Sequence, residues 1–383
     1  MFGAVFKQLA TEIAGPEAGQ LAGRVAGSIF NEMAERDEPP PKRTYQPKPL
    51  NGKKKSLLIG INYFGQKGEL NGCINDVHTV KNWLDEYGFP QDDDHQLVLT
   101  DDQEGANKPT HHNILKAFQW LVAGAADGDC LFFSYSGHGG QQRDTDGDEK
   151  DGYDETLIPV DFKEHGMIVD DKVYEYLVKP LPKGCRLTII LDCCHSGTAC
   201  DLPYLFKATE ENCKNWWEGI PQMILNTKWD TKNFQNLLMQ GGAMGLQIYQ
   251  KYRDFKAREA EEAASAANGG DDGEPEEAKF YREGTKNSLA EVIMFSGCKD
   301  KQTSADVGDV SGVFQLPAEC GPGGAGGACT NAMISCLHEK PEQTWIEVLD
   351  NMRKKLNHRG FSQVPELSST VEIDLGQRFS LTE

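Results

Sequence analysis

The chain has 383 residues, with 39 Lys+Arg against 59 Asp+Glu, a formal net charge of −20 at pH 7. That length allows a sizeable core, and so acidic a surface is the wrong sign for a phosphate backbone, which sets nucleic acid aside as a partner. Eleven cysteines with no C-x-x-C pair argue against a disulfide framework and paired-cysteine zinc, and nothing approaches the roughly 20 apolar residues of a membrane span.

Taken in order, residues 1–35 space Phe2, Val5, Phe6, Leu9 and Ile13, then Leu21, Val25, Ile29 and Met33, as one or two amphipathic helices broken near Gly15-Pro16. There is no basic start and apolar run of a secretion signal, so a cytosolic or nucleocytoplasmic protein is expected. "EPPPKRTYQPKP" (Glu38–Pro49) reads as an extended linker with exposed basic residues. Short apolar runs follow at Ser56–Asn62, Gln96–Thr100, Cys130–Gly137 and Arg186–Asp192. Helix-like segments lie between them at Asn75–Tyr87, His112–Val122 and Asp170–Tyr176. Buried strands alternating with helices predict an α/β fold with a mostly parallel sheet covered on both faces. After Tyr204 the pattern weakens, and Glu259–Glu277 holds eight acidic residues without Lys or Arg, a solvated tract. A further strand at Ala290–Cys298, a Gly-rich loop (Gly321–Gly327) and helices at Asn331–His338 and Glu342–Leu356 complete the chain.

Two of the strands end on chemistry. "SGHGG" (Ser136–Gly140) and "DCCHSG" (Asp192–Gly197) both stand at carboxyl ends, where active sites of open α/β sheets lie. A thiol attacks a carbonyl only as thiolate, so a nucleophilic cysteine needs a base. His138, bracketed by small residues, is the candidate base, and the neighbouring glycines free amides to face an oxyanion. If strand alternation persists, Asp192 and Cys194 share one face with Ser136 and His138, while Cys193 points into the core. His195 is adjacent to the thiol in sequence only and is not taken as the base.

Joined by an Asp-rich loop, "SYSGHGG" and "DCCHSG" resemble the motifs of the metacaspases, caspase-like cysteine peptidases, from about Lys53 to Tyr204. The resemblance resumes at "VIMFSGCKDKQTSADV" (Val292–Val307), and the order of parts is similar to type I. It implies a caspase-like sandwich: a pro-segment (1–50), a large-subunit-like region (51–207), an insert (208–288) and a small-subunit-like region (289–383) completing the same domain. It also implies His138 and Cys194 as the catalytic dyad, with the amides of Gly139 and Cys194 as oxyanion hole. An Arg or Lys side chain needs a carboxylate at the bottom of its pocket. Asp192 is on the right face, and the resemblance adds Cys73, Asp76 and Ser136. Alone, Asp76 would read as a helix-start carboxylate favoured by the dipole. Cleavage of protein or peptide substrates after Arg or Lys is therefore expected, by a monomer, with cell-death or proteostasis roles carried by the family alone.

"DTDGDEKDGYDE" (Asp144–Glu155) has an EF-hand rhythm, but Glu149 stands where that loop needs glycine and a strand precedes it. The resemblance instead carries a calcium site onto Asp154, Asp170, Asp171 and Asp201. Self-processing is expected at basic residues of flexible segments: Lys42 or Arg43, then Arg253, Lys256 or Arg258, then Lys279, Arg282 or Lys286. The competing reading is an idle caspase-like scaffold or calcium-responsive binding protein.

Overall fold

The computed structural model describes residues 43–143, 153–193, 200, 202–210, 212–213, 216, 286, 288–297, 306–307, 326–361 and 363–383. The amphipathic N-terminal segment and the acidic tract lie outside them.

Seven strands form the central sheet: β1 (Lys54–Gly60), β2 (Gln96–Thr100), β3 (Cys130–Ser136), β7 (Arg186–Asp192), β8 (Tyr204–Lys207), β9 (Glu291–Ser296) and β12 (Glu366–Ser369). Their order is β2-β1-β3-β7-β9-β12-β8. β2, β1, β3, β7 and β9 pair in parallel, and β12 runs antiparallel to both of its neighbours. Every residue of β3 and β7 is buried, which is why both read as unbroken apolar runs rather than as alternation. Three strands stand apart: β4 (Gly139–Arg143), β5 (Tyr153–Leu157) and β6 (Ile168–Val169) make a small antiparallel sheet. β10 (Asp306–Val307) pairs with β11 (Gly326–Gly327).

Helices cover both faces. On one, α1 (Cys73–Glu86), α4 (Ala328–Glu339) and α5 (Trp345–His358) bury Val77, Trp83, Met333, Ile334 and Leu349 against Leu58, Phe132, Ile190 and Phe295. On the other, α2 (His111–Val122) and α3 (Asp170–Val173, continued by a π turn at Tyr174–Val178) bury Ile114, Phe118 and Leu177 against Leu57, Phe133 and Ile189. α1 sits unusually close to the sheet. A Cβ on Gly60 would stand 2.5 Å from the Cys73 carbonyl oxygen, so the end of β1 must be glycine for the helix to start there.

The second half of the expected linker is docked on the core at two points, although Thr44, Gln46, Pro47 and Pro49 are exposed. Tyr45 is fully buried, its ring edge-on to Trp345 at 5.7 Å, and Thr44 bridges Glu372. The Arg43 guanidinium donates to the carbonyls of Ser288, Leu289 and Thr370. A buried aromatic and a bound guanidinium overrode the proline count, and Arg43 therefore does not lie in a free segment. Lys42 lies outside the described residues.

Candidate active site

Register carries the site. Ser136 at the end of β3 lies opposite Asp192 at the end of β7, so both side chains emerge on the face that α1 and α4 cover. Asp76 comes to them from the first turn of α1 and is buried. It accepts from Ser136 Oγ at 2.5 Å, from the Gly327 amide at 2.8 Å and from Asn331 Nδ2 at 2.8 Å. Asp192 accepts from the Thr330 amide at 2.8 Å. The start of α4 thus meets two carboxylates with its unsatisfied amides, the arrangement a helix dipole favours. Cys73, one turn before Asp76 on the same helix, is also buried. Burial first, and the Asp192 charge second, push the Asp76 carboxyl up to about 8, against hydrogen bonds that favour its ionised form.

Space here is fixed by one glycine. A Cβ on Gly327 would stand 2.3 Å from Asp192 Oδ2 and 2.9 Å from Asp76 Oδ2, so only hydrogen fits between main chain and carboxylates.

His138 is placed differently from the expectation. β3 stops at Ser136, alternation stops with it, and Gly137 turns the chain into β4. The imidazole packs against the Tyr63 ring, centroids 4.7 Å apart and planes tilted by 37°. The His138 amide donates to the Tyr63 hydroxyl at 2.9 Å, and that hydroxyl donates to the Ile158 carbonyl at 2.7 Å. Tyr135 donates to the His138 carbonyl at 2.8 Å. His138 Nε2 lies 2.6 Å from the Gly68 carbonyl oxygen. A carbonyl can only accept, so Nε2 carries the proton and a neutral ring keeps Nδ1 as its basic nitrogen. Tyr63 itself has φ 56°, a left-handed conformation rare for a bulky residue. Gly139, the next residue, opens β4 opposite Leu157.

Cys193 is 1 % exposed, in the core on the α2 face. Cys194 and Asp201 lie outside the described residues. All eight described cysteines are buried, and burial pushes the thiols of Cys130 and Cys185 up to about 11 and about 12. Such thiols are poor nucleophiles near neutral pH.

Of the expected calcium ligands, Asp154 and Asp170 are buried and Asp171 is part-exposed. Asp170 accepts from the amides of Glu155 and Asp171, and Asp171 pairs with the Lys286 ammonium. The donors are hard oxygens, the chemistry calcium takes. Among the described residues, however, no group of three or more such side chains is gathered to hold a metal. Glu155 lies buried in β5, a strand, where an EF-hand would need its last ligand on a helix.

The family model for the metacaspase, peptidase C14 domain matches residues 54–203. The chain is 42% identical over 338 residues to Metacaspase-1 of Mycosarcoma maydis, covering 88% of this chain and 75% of that one. The chain belongs to the metacaspase family. Metacaspase-1 of Meyerozyma guilliermondii is 40% identical over 338 residues (88% of this chain, 74% of the relative). Metacaspase-1A of Aspergillus fumigatus is 41% identical over 333 residues (86% and 72%). Metacaspase membership makes the chain a cysteine peptidase of caspase-like fold acting on proteins or peptides. Among the described residues no helix is long and apolar enough to cross a membrane.

Sequence motifs pointed to Ser136, His138 and Asp192, and to Asp76 through the resemblance. They missed Tyr63, Gly68, Gly327, Thr330 and Asn331, which act through a packed ring, a main-chain carbonyl and a helix start. Only the Gly-rich run before Ala328 was a visible signal, and it named no role.

Proposed function

We propose that this metacaspase is a calcium-activated cysteine endopeptidase that cleaves after Arg or Lys. In this reading Cys194 passes its proton to His138 Nδ1, and the thiolate adds to the scissile carbonyl while the amides of Gly139 and Cys194 stabilise the oxyanion. Collapse of that adduct breaks the peptide bond, with His138 returning the proton to the departing amine. Water, deprotonated by His138, then releases the acyl group from sulfur. Main-chain acceptance at Nε2 by Gly68 supports the general-base role, because it orients the ring and fixes the tautomer.

The observation that carries the specificity is the buried carboxylate pair, Asp76 and Asp192, with Ser136 beside them where β3 and β7 end. A cationic side chain is the ligand that such a pocket selects, because it offsets charge that burial has stripped of water. Cys73 completes the lining. Calcium would be held by Asp154, Asp170, Asp171 and Asp201, supplying positive charge between loops that border both motifs. Lys286 would have to leave Asp171 first. Self-processing at basic residues between 253 and 286, a cytosolic or nucleocytoplasmic location and a monomeric state belong to the same proposal.

A peptidyl-arginine fluoromethyl ketone tests it. With calcium present, mass spectrometry of the labelled chain is expected to find the adduct on Cys194, and an aspartyl analogue is expected to leave the protein unmodified. An adduct on Cys193 would overturn the choice of thiol, and none under any calcium concentration would favour the idle-scaffold reading.

A further inference from the structure

Asp76 cannot serve a cationic side chain by direct hydrogen bonding alone. Its Oδ1 already accepts from the Gly327 amide and from Asn331, and its Oδ2 from Ser136 and the Gly327 amide. The one Gly327 N–H is shared between the two oxygens, so three donors already sit on this buried carboxyl group and leave it little capacity for further direct contacts. A guanidinium brings five donors and an ammonium three, so the pocket needs another acceptor.

Asn331, in the first turn of α4, has one. Its Nδ2 donates to Asp76 Oδ1 at 2.8 Å and to the Gly327 carbonyl at 2.7 Å. Both neighbours are acceptors, so the amide cannot be turned round. Its Oδ1, on a side chain with no exposure, then has no hydrogen-bond partner among the described residues. Buried acceptors are nearly always paired, and an unpaired one beside a pocket is where a ligand brings the missing donor.

We propose that Asn331 is a specificity-determining residue of this peptidase: its amide nitrogen holds Asp76 in place, and its carbonyl oxygen accepts from the guanidinium or ammonium of the residue before the scissile bond. The proposal rests on the Arg/Lys reading of the pocket. It also means that recognition by the 51–207 region is completed from beyond the insert, by a side chain on the far helix.

The test uses the full chain carrying Cys194→Ala, which keeps it intact, and agmatine as a guanidinium probe in a calorimeter. The parent is expected to bind agmatine, and Asn331→Ala to weaken that binding at least about tenfold. Asn331→Ser, whose hydroxyl is too short to reach Asp76, is expected to act in the same direction and carries the test should the alanine variant fold poorly. In the active enzyme, Asn331→Ala is expected to raise KM for an Arg-terminated peptide while kcat changes by less than about threefold. Unchanged agmatine affinity in either folded variant, or a loss confined to kcat, overturns the role of Asn331 alone. A parent that does not bind agmatine overturns the Arg/Lys reading and this proposal with it.

Discussion

A carboxyl group buried as fully as Asp76, with Asp192 beside it, keeps its proton near neutral pH, and a cation binds it best once that proton has gone. Asp76 is neutral below about 8 and ionised above, so agmatine affinity in the Cys194→Ala chain should rise as pH passes through about 8. Asp76→Asn should flatten the profile, and an affinity independent of pH would contradict the assignment. Ser136, Asn331 and Asp192 face the same group, and of these Asp192 carries the charge that adds to the shift. Tyr63 gives a second test. Tyr63→Phe removes the acceptor for the His138 amide and the donor to Ile158 but keeps the packed ring. The ring of His138 should then wander, lowering kcat about 10- to 100-fold with KM little altered. At this scale the sequence revealed groups that carry chemistry in themselves, such as His138 and Asp192. It hid those whose role is conferred by position, because nothing local distinguishes Tyr63 from any other core tyrosine.

Elements were legible in proportion to how apolar they are. β1, β2, β3, β7 and β9 announce themselves as apolar runs and α5 by its period, although a Thr344 capping box with Glu347 starts that helix at Trp345 rather than at the expected Glu342. β12 reads Glu-Leu-Ser-Ser, yet all four residues are buried between β9 and β8. Its strand character comes from its partners rather than from its own composition, and β4, Gly-Gly-Gln-Gln-Arg, is hidden for the same reason. Two measurements belong here. Thr344→Ala removes the cap of α5 and should cost about 1 kcal/mol of stability, read as a lower midpoint in urea with an unchanged slope. Gly327→Ala pushes a methyl group into both pocket carboxylates and should abolish cleavage of Arg peptides while far-ultraviolet circular dichroism stays that of the parent.

Across the whole molecule, β9 returns after the insert to pair with β7, and Arg186 at the base of β7 donates to Glu291 at the start of β9. That guanidinium is fully buried and also lies over the Tyr45 ring at 4.8 Å. A chain cut within 208–288 should therefore still elute from size exclusion as one particle. Elution as two separate fragments would show that the ladder does not hold the halves. On the proposed calcium site, Lys286→Ala removes the ammonium paired with Asp171, so half-maximal calcium should fall relative to the parent, and a midpoint unmoved or raised would remove Asp171 from the site. The strand that returns at Ala290–Cys298 could be read from the sequence, whereas the packing of Arg43 and Tyr45 against the core could not, since a proline-rich run looks the same docked or free. The most direct trial of the account is hydrolysis of matched Arg- and Asp-terminated fluorogenic peptides during a calcium titration, by the parent, Cys194→Ala and Cys193→Ala. Calcium-dependent cleavage of the Arg peptide alone, lost in Cys194→Ala and kept in Cys193→Ala, is the expected result; turnover that survives Cys194→Ala, or prefers Asp, would contradict it.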